Sequence, residues 1–116
     1  MTSYHTEIQV YANNVGQEQF DADFDVFADA LYDCEGVEDA DLASDSSALV
    51  YTFTMTVRVS DDLDEIEAPV QALRTALDVA RTALHAGGGS TPGWTDHYHL
   101  LRQMVEQQLA SEAVAA

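Results

Sequence analysis

The chain opens with a strict alternation of apolar and polar residues and then changes to a helical period. Residues 4–12 alternate cleanly, which predicts a strand with one buried face. Through residues 17–34 the apolar residues recur at steps of four and three, which predicts an amphipathic helix. That apolar stripe contains Phe20, Phe24, Phe27, Leu31 and Cys34.

The middle of the chain repeats this change of period. Residues 37–43 alternate weakly, whereas residues 49–59 alternate strongly and carry threonines on one face, so the pattern predicts two strands joined by a turn at 44–47. A second amphipathic helix follows, and Pro69 either kinks it or marks its true start. Its predicted apolar stripe is Leu63, Ile66, Val70, Leu73, Leu77, Ala80 and Leu84.

The end of the chain allows two interpretations. Residues 87–93 are rich in glycine, which predicts a flexible linker. Residues 94–116 favour a helix packed on the core or on a partner subunit, because large apolar residues recur there at steps of three and four. A fourth strand over residues 94–101 is the alternative. The predicted helical face is Trp94, Tyr98, Leu101, Val105 and Leu109.

The predicted order of elements is strand, helix, strand, strand, helix and one further element. It resembles the ferredoxin-like α+β sandwich, a βαββα arrangement with an additional C-terminal element. The residue pattern divides the chain into a core domain at 1–86, the linker at 87–93 and the terminal segment at 94–116. The resemblance rests on element order alone, so it implies a fold and no function. A sheet covered by helices on one side has a second face to bury, so we expect a homodimer through the sheet.

The charge of the chain indicates which classes of partner it can bind. The net charge is -17, the chain has no lysine, and the segment 17–46 contains eleven acids and no basic residue. Such a surface repels nucleic acid and anionic membranes and attracts basic protein surfaces. The candidate partner-binding residues, on the first helix and after it, are Asp21, Asp25, Asp29, Asp33, Glu35, Glu38, Asp39 and Asp41.

From this charge we predict a small, non-catalytic interaction module or regulator of bacterial or phage origin, which binds a basic protein surface. The first alternative is a DNA mimic that inhibits a nucleic-acid-binding protein, although six acids over about 24 Å of helix are sparser than duplex phosphates. Adaptation to salt or to a GC-rich genome would also explain the acidity.

Few residues suggest chemistry. We expect no enzyme and no cofactor, because no histidine has a motif-level relation to a serine or to Cys34 and no phosphate-binding loop occurs. Cys34 lies on an apolar stripe, which predicts a buried thiol, and the expected location is the cytoplasm. The second alternative function is a small-ligand or metal site near Trp94, His97 and His99, since two histidines two residues apart share one face on a strand.

Overall fold

The computed structural model of the protein describes residues 2–12, 16–86 and 98–107. Its elements in chain order are β1 (Thr2–Ala12), α1 (Gln17–Tyr32), β2 (Val37–Asp45), β3 (Val50–Val59), α2 (Glu67–Leu84) and β4 (Tyr98–Gln107). The elements predicted before residue 87 therefore form, with ends that differ by a few residues.

The strands form one antiparallel sheet in the order β2-β3-β1-β4. Both helices cover the same face, with α1 against β2 and α2 over β1, β3 and β4. This is the ferredoxin-like α+β fold, and the predicted fold class is confirmed. The other side of the strands is named the open sheet face. On the two central strands it consists of Ser3, His5, Glu7, Gln9, Tyr11, Val50, Thr52, Thr54, Thr56 and Arg58.

The last described segment is a strand, so the helix favoured for this part of the chain is wrong. β4 pairs with β1 along its length, and a register shift leaves Leu101 without a partner in β1. This bulge interrupts the alternation, so Tyr98, Leu101 and Val105 fall at helical spacing although they lie on a strand. Pairing with β4 satisfies the backbone hydrogen-bonding groups at the edge of β1. This stabilisation outweighs the local helix propensity of residues 98–107.

The predicted domain division is only partly covered by the structure. Because β4 belongs to the same sheet as β1, at least this part of the terminal segment is integral to the core. The predicted linker at 87–93, together with Trp94 and Leu109 of the predicted helical face, lies outside the described residues.

The buried face of α2 differs from the predicted stripe. Ile66 and Val70 of that stripe are 78% and 53% exposed, and Leu77 is half-buried on the flank of the helix toward β4. Of the predicted stripe, only Ala80 and Leu84 are buried. Small residues instead face a sheet whose inward side chains are large, which lets helix and sheet approach closely. The buried residues of α2 are Ala68, Ala72, Ala76, Val79, Ala80, Ala83 and Leu84.

The start of α2 explains the position of its proline. The Asp64 carboxylate accepts hydrogen bonds from the backbone N–H groups of Ile66 at 2.8 Å and Glu67 at 2.7 Å. Pro69 is the third residue of the helix, where a backbone N–H has no intrahelical acceptor. Pro69 therefore marks the start of the helix, and the alternative of a kink is wrong.

Two residues with left-handed backbone conformation explain where α1 ends and why the alternation of apolar and polar residues in β2 is weak. Gly36 has φ 86° just beyond α1, a left-handed conformation that glycine commonly supplies at the end of a helix. Asp39 has φ 52° at an irregularity between Glu38 and Asp41. That irregularity interrupts the alternation of β2 and explains why the sequence showed it poorly.

The centre of the core is aromatic. Phe20 stacks on Tyr51 with ring centroids 4.2 Å apart, and Phe27 meets the same ring edge-on at 5.1 Å. Within the described ranges, every buried polar atom of a side chain has a hydrogen-bond partner. Neither α1 nor α2 has the length and apolarity to cross a bilayer.

Candidate functional site

An apolar groove lies between α2 and β4 and is named the α2–β4 groove. Its volume is about 270 Å³. Alternation along β1 places Ile8 and Val10 at the bottom of the groove. Leu77 and Leu84 lie beside the alanine face of α2 and form one side. The bulge in β4 places Leu100 opposite Val10. The lining residues are Ile8, Val10, Leu77, Ala80, Arg81, Leu84, Tyr98 and Leu100.

Polar groups are few in this groove. Tyr98 packs edge-on against Phe27 with ring centroids 6.0 Å apart. Burial, and secondly the Asp23 carboxylate, raises the pKa of Tyr98 to about 12, so the phenol is protonated at neutral pH. Arg81 is exposed, in the last turn of α2, and is the charged side chain of the lining. The groove thus combines apolar walls with one hydroxyl and one cation.

A buried carboxylate lies behind the groove, and the sequence analysis missed it. Asp23 is 9% exposed and accepts a hydrogen bond from Gln19 Nε2 at 2.7 Å. The Tyr51 hydroxyl donates to the Phe20 carbonyl at 2.5 Å, and burial raises the pKa of Tyr51 far above its usual range. The available signal was that Asp23 lies one turn before Phe27 and hence on the apolar side of α1.

The structure places the predicted partner-binding acids at the opposite edge of the molecule. All eight side chains are exposed: three on α1, Asp33 and Glu35 in the following connection, and three on β2. Glu38 forms a salt bridge with Arg58 at 3.2 Å, and Asp41 accepts a hydrogen bond from the Tyr32 hydroxyl at 3.3 Å. Their binding to a basic protein surface stays a prediction, because nothing in the structure tests it.

A second, shallower depression of about 570 Å³ separates the ends of the two helices. Cys34 lies in it, and its thiol donates to the Ala30 carbonyl at 3.3 Å. Burial, and secondly the Asp33 carboxylate, raises the pKa of the thiol. A raised pKa lowers the fraction of nucleophilic thiolate, so this cysteine is not an activated one.

The predicted histidine site is not assembled in the described part of the chain. His99 pairs with Tyr11 on the open sheet face, whereas its neighbours Tyr98 and Leu100 belong to the groove on the other side. Trp94 and His97 lie outside the described residues. Among those that are described, no three histidine, cysteine or acidic side chains are grouped to hold a metal ion.

The open sheet face differs in charge from the rest of the protein. By strand register its acids are Glu7, Glu38, Asp41, Asp45 and Glu106 and its arginines are Arg58 and Arg102. These charges sum to -3, whereas the whole chain carries -17. Arg102 Nε lies 4.0 Å from the Glu7 carboxylate. Half of the four arginines of the protein therefore lie on this face.

Comparison with known proteins gave a similar fold only. No protein-family model matches the chain, and no curated protein matches it significantly. Among solved structures, a candidate antibiotic biosynthesis monooxygenase from Bordetella bronchiseptica is similar, with a TM-score of 0.47 and 10% identity over 94% of this chain and 99% of the other.

This comparison corrects the predicted function. The similar structure is that of a candidate enzyme, so the prediction of a non-catalytic interaction module, with a DNA mimic as its first alternative, is wrong. The prediction that the chain is not an enzyme is wrong on the same finding. At 10% identity the likeness is one of fold, and the chemistry must come from this chain's own residues.

Proposed function

We propose that the protein binds a small apolar molecule in the α2–β4 groove. The observation that carries the proposal is the lining of the groove, which consists of six aliphatic side chains from three elements together with Tyr98 and Arg81. Ligand pockets typically have mostly apolar walls and a few polar groups that fix orientation. An exposed apolar surface of this kind also gains free energy when a ligand removes it from water.

The size of the groove limits the ligand. Its volume of about 270 Å³ equals roughly nine waters at about 30 Å³ each. A ligand that fills it therefore has about ten non-hydrogen atoms. Leu100, which is 50% exposed, forms part of the rim, and a bound ligand would cover it.

Titration with 1-octanol, a neutral chain of suitable size, tests this proposal. In ¹H–¹⁵N spectra of the full chain, the amides of the lining residues should shift in a saturable manner. Leu100→Asp should abolish the effect by placing a charge on the rim. Val26→Asp is the matched control, because Val26 is also exposed, at 41%, but lies on α1. Shifts spread over the surface, or unchanged by Leu100→Asp, would overturn the proposal.

We also propose that two copies pair through the open sheet face. The supporting observation is that this face carries two of the four arginines and a small share of the net charge of -17, so it repels a second copy less than the acidic surface of α1 does. Strands of about ten residues at about 3.3 Å each, in four rows about 4.8 Å apart, present roughly 600 Å². This value approaches the area of about 800 Å² per partner in standard interfaces.

Sedimentation tests the pairing. We expect the wild-type protein to be a dimer at tens of micromolar and Thr54→Glu, at the centre of the open sheet face, to be monomeric. Thr82→Glu is the control with the same charge change, because Thr82 is exposed on α2. A monomeric wild-type protein, or equal behaviour of the two variants, would contradict the pairing.

A further inference from the structure

We infer that the ligand of the α2–β4 groove is an amphiphile with an oxyanionic head group, such as a carboxylate, which Arg81 binds. This inference rests on the proposed function of the groove. It adds the chemical class of the ligand and assigns to Arg81 the role of selecting that class.

The first argument is the state of the arginines. Arg58 faces Glu38 at 3.2 Å and Arg102 faces Glu7 at 4.0 Å, so both have an acidic neighbour on the open sheet face. No salt bridge involves Arg81 within the part of the chain that the structure describes. An arginine beside apolar walls, without a carboxylate of its own, can bind an oxyanion with two parallel hydrogen bonds.

The second argument is the distribution of acids. The acids of β2 lie at one edge of the sheet, whereas the groove lies beside β4 at the other edge. Four strands about 4.8 Å apart separate these edges by about 14 Å, beyond the Debye length of about 8 Å at physiological salt. The field of the β2 acids is therefore screened at the groove. The charged groups that act there are Arg81 of the lining and Asp23, whose carboxylate raises the pKa of Tyr98.

A purely structural role is the competing explanation for Arg81. A cation in the last turn of a helix stabilises the negative end of the helix dipole, and Arg81 lies in the last turn of α2. That role predicts a loss of stability on substitution and no dependence of binding on the charge of the ligand. The two roles are thus separable by comparing ligands that differ only in the head group.

Three eight-carbon probes make this comparison on the full chain: octanoate, 1-octanol and octylammonium. We expect the wild-type protein to bind octanoate about tenfold more tightly than octylammonium, as one charge-assisted contact implies. Arg81→Met retains an unbranched apolar side chain and should lower the affinity for octanoate about tenfold, while the affinity for 1-octanol stays unchanged. Arg74→Met removes the same charge from the same helix outside the groove, so it should leave both affinities nearly unchanged.

The outcomes distinguish this inference from the proposed function. If 1-octanol does not bind in the groove, the proposed function fails. If 1-octanol binds but octanoate gains nothing over octylammonium, or Arg81→Met and Arg74→Met act alike, the groove remains a binding site and the oxyanion inference is overturned.

Discussion

The buried face of α2 offers the sharpest test of the fold, because two interpretations of the same helix predict opposite results. Ala76 is fully buried, whereas Val70 of the larger-residue stripe is 53% exposed. Ala76→Leu inserts three carbons into a filled core and should lower the free energy of unfolding by about 1–3 kcal/mol. Val70→Ala removes partly exposed methyl groups and improves helix propensity, so it should change stability by less than about 0.5 kcal/mol.

Urea denaturation followed by circular dichroism measures both variants. With a slope of about 1–3 kcal/mol/M, a loss of 2 kcal/mol lowers the midpoint by about 1 M. The protein concentration must be fixed, because an oligomer gains stability with concentration. If the stripe of larger residues were the buried one, Val70→Ala would cost on the order of 2 kcal/mol or more and Ala76→Leu would be tolerated. That result would refute the packing of α2 described above.

Three further predictions concern single side chains. Tyr51→Phe should lower the free energy of unfolding by about 1–2 kcal/mol, because a buried hydrogen bond is lost. Tyr32→Phe, at a residue 58% exposed, should change this free energy little. Equal urea midpoints for the two variants would contradict the prediction. The pKa of the Cys34 thiol is raised. The thiol should therefore react with a disulfide reagent at pH 8 more slowly in the native protein than in the urea-unfolded protein. An equal or faster rate in the native protein would be inconsistent with partial burial of the thiol. Asp25→Asn relieves two like-charge neighbours one turn away and should stabilise the protein by about 0.4–1 kcal/mol at low salt; the gain should vanish in 1 M salt, and persistence there would exclude electrostatic repulsion as its cause.

The sequence by itself determined the elements whose pattern is local. β1 and β3 alternate without interruption, and α1 places its phenylalanines at helical spacing, so each element could be predicted from its own residues. The order of these elements was enough to predict the fold class. The eight candidate partner-binding acids are exposed, as expected because desolvating an unpaired carboxylate is costly, whereas the carboxylate of Asp23 is buried.

Tertiary structure decided what depends on contacts between distant segments. Residues 98–107 form a strand because β1 offers an edge, and the bulge at Leu101 hides the alternation that would have shown it. The alanine face of α2 is buried because large side chains already fill the sheet side, so residue size alone indicated the wrong face. The α2–β4 groove arises from both effects: Leu77 and Leu84, on the flank of the alanine face, line one wall and the unexpected strand supplies the other. No local pattern encodes this meeting of three separate elements, because a groove depends on how they pack against one another.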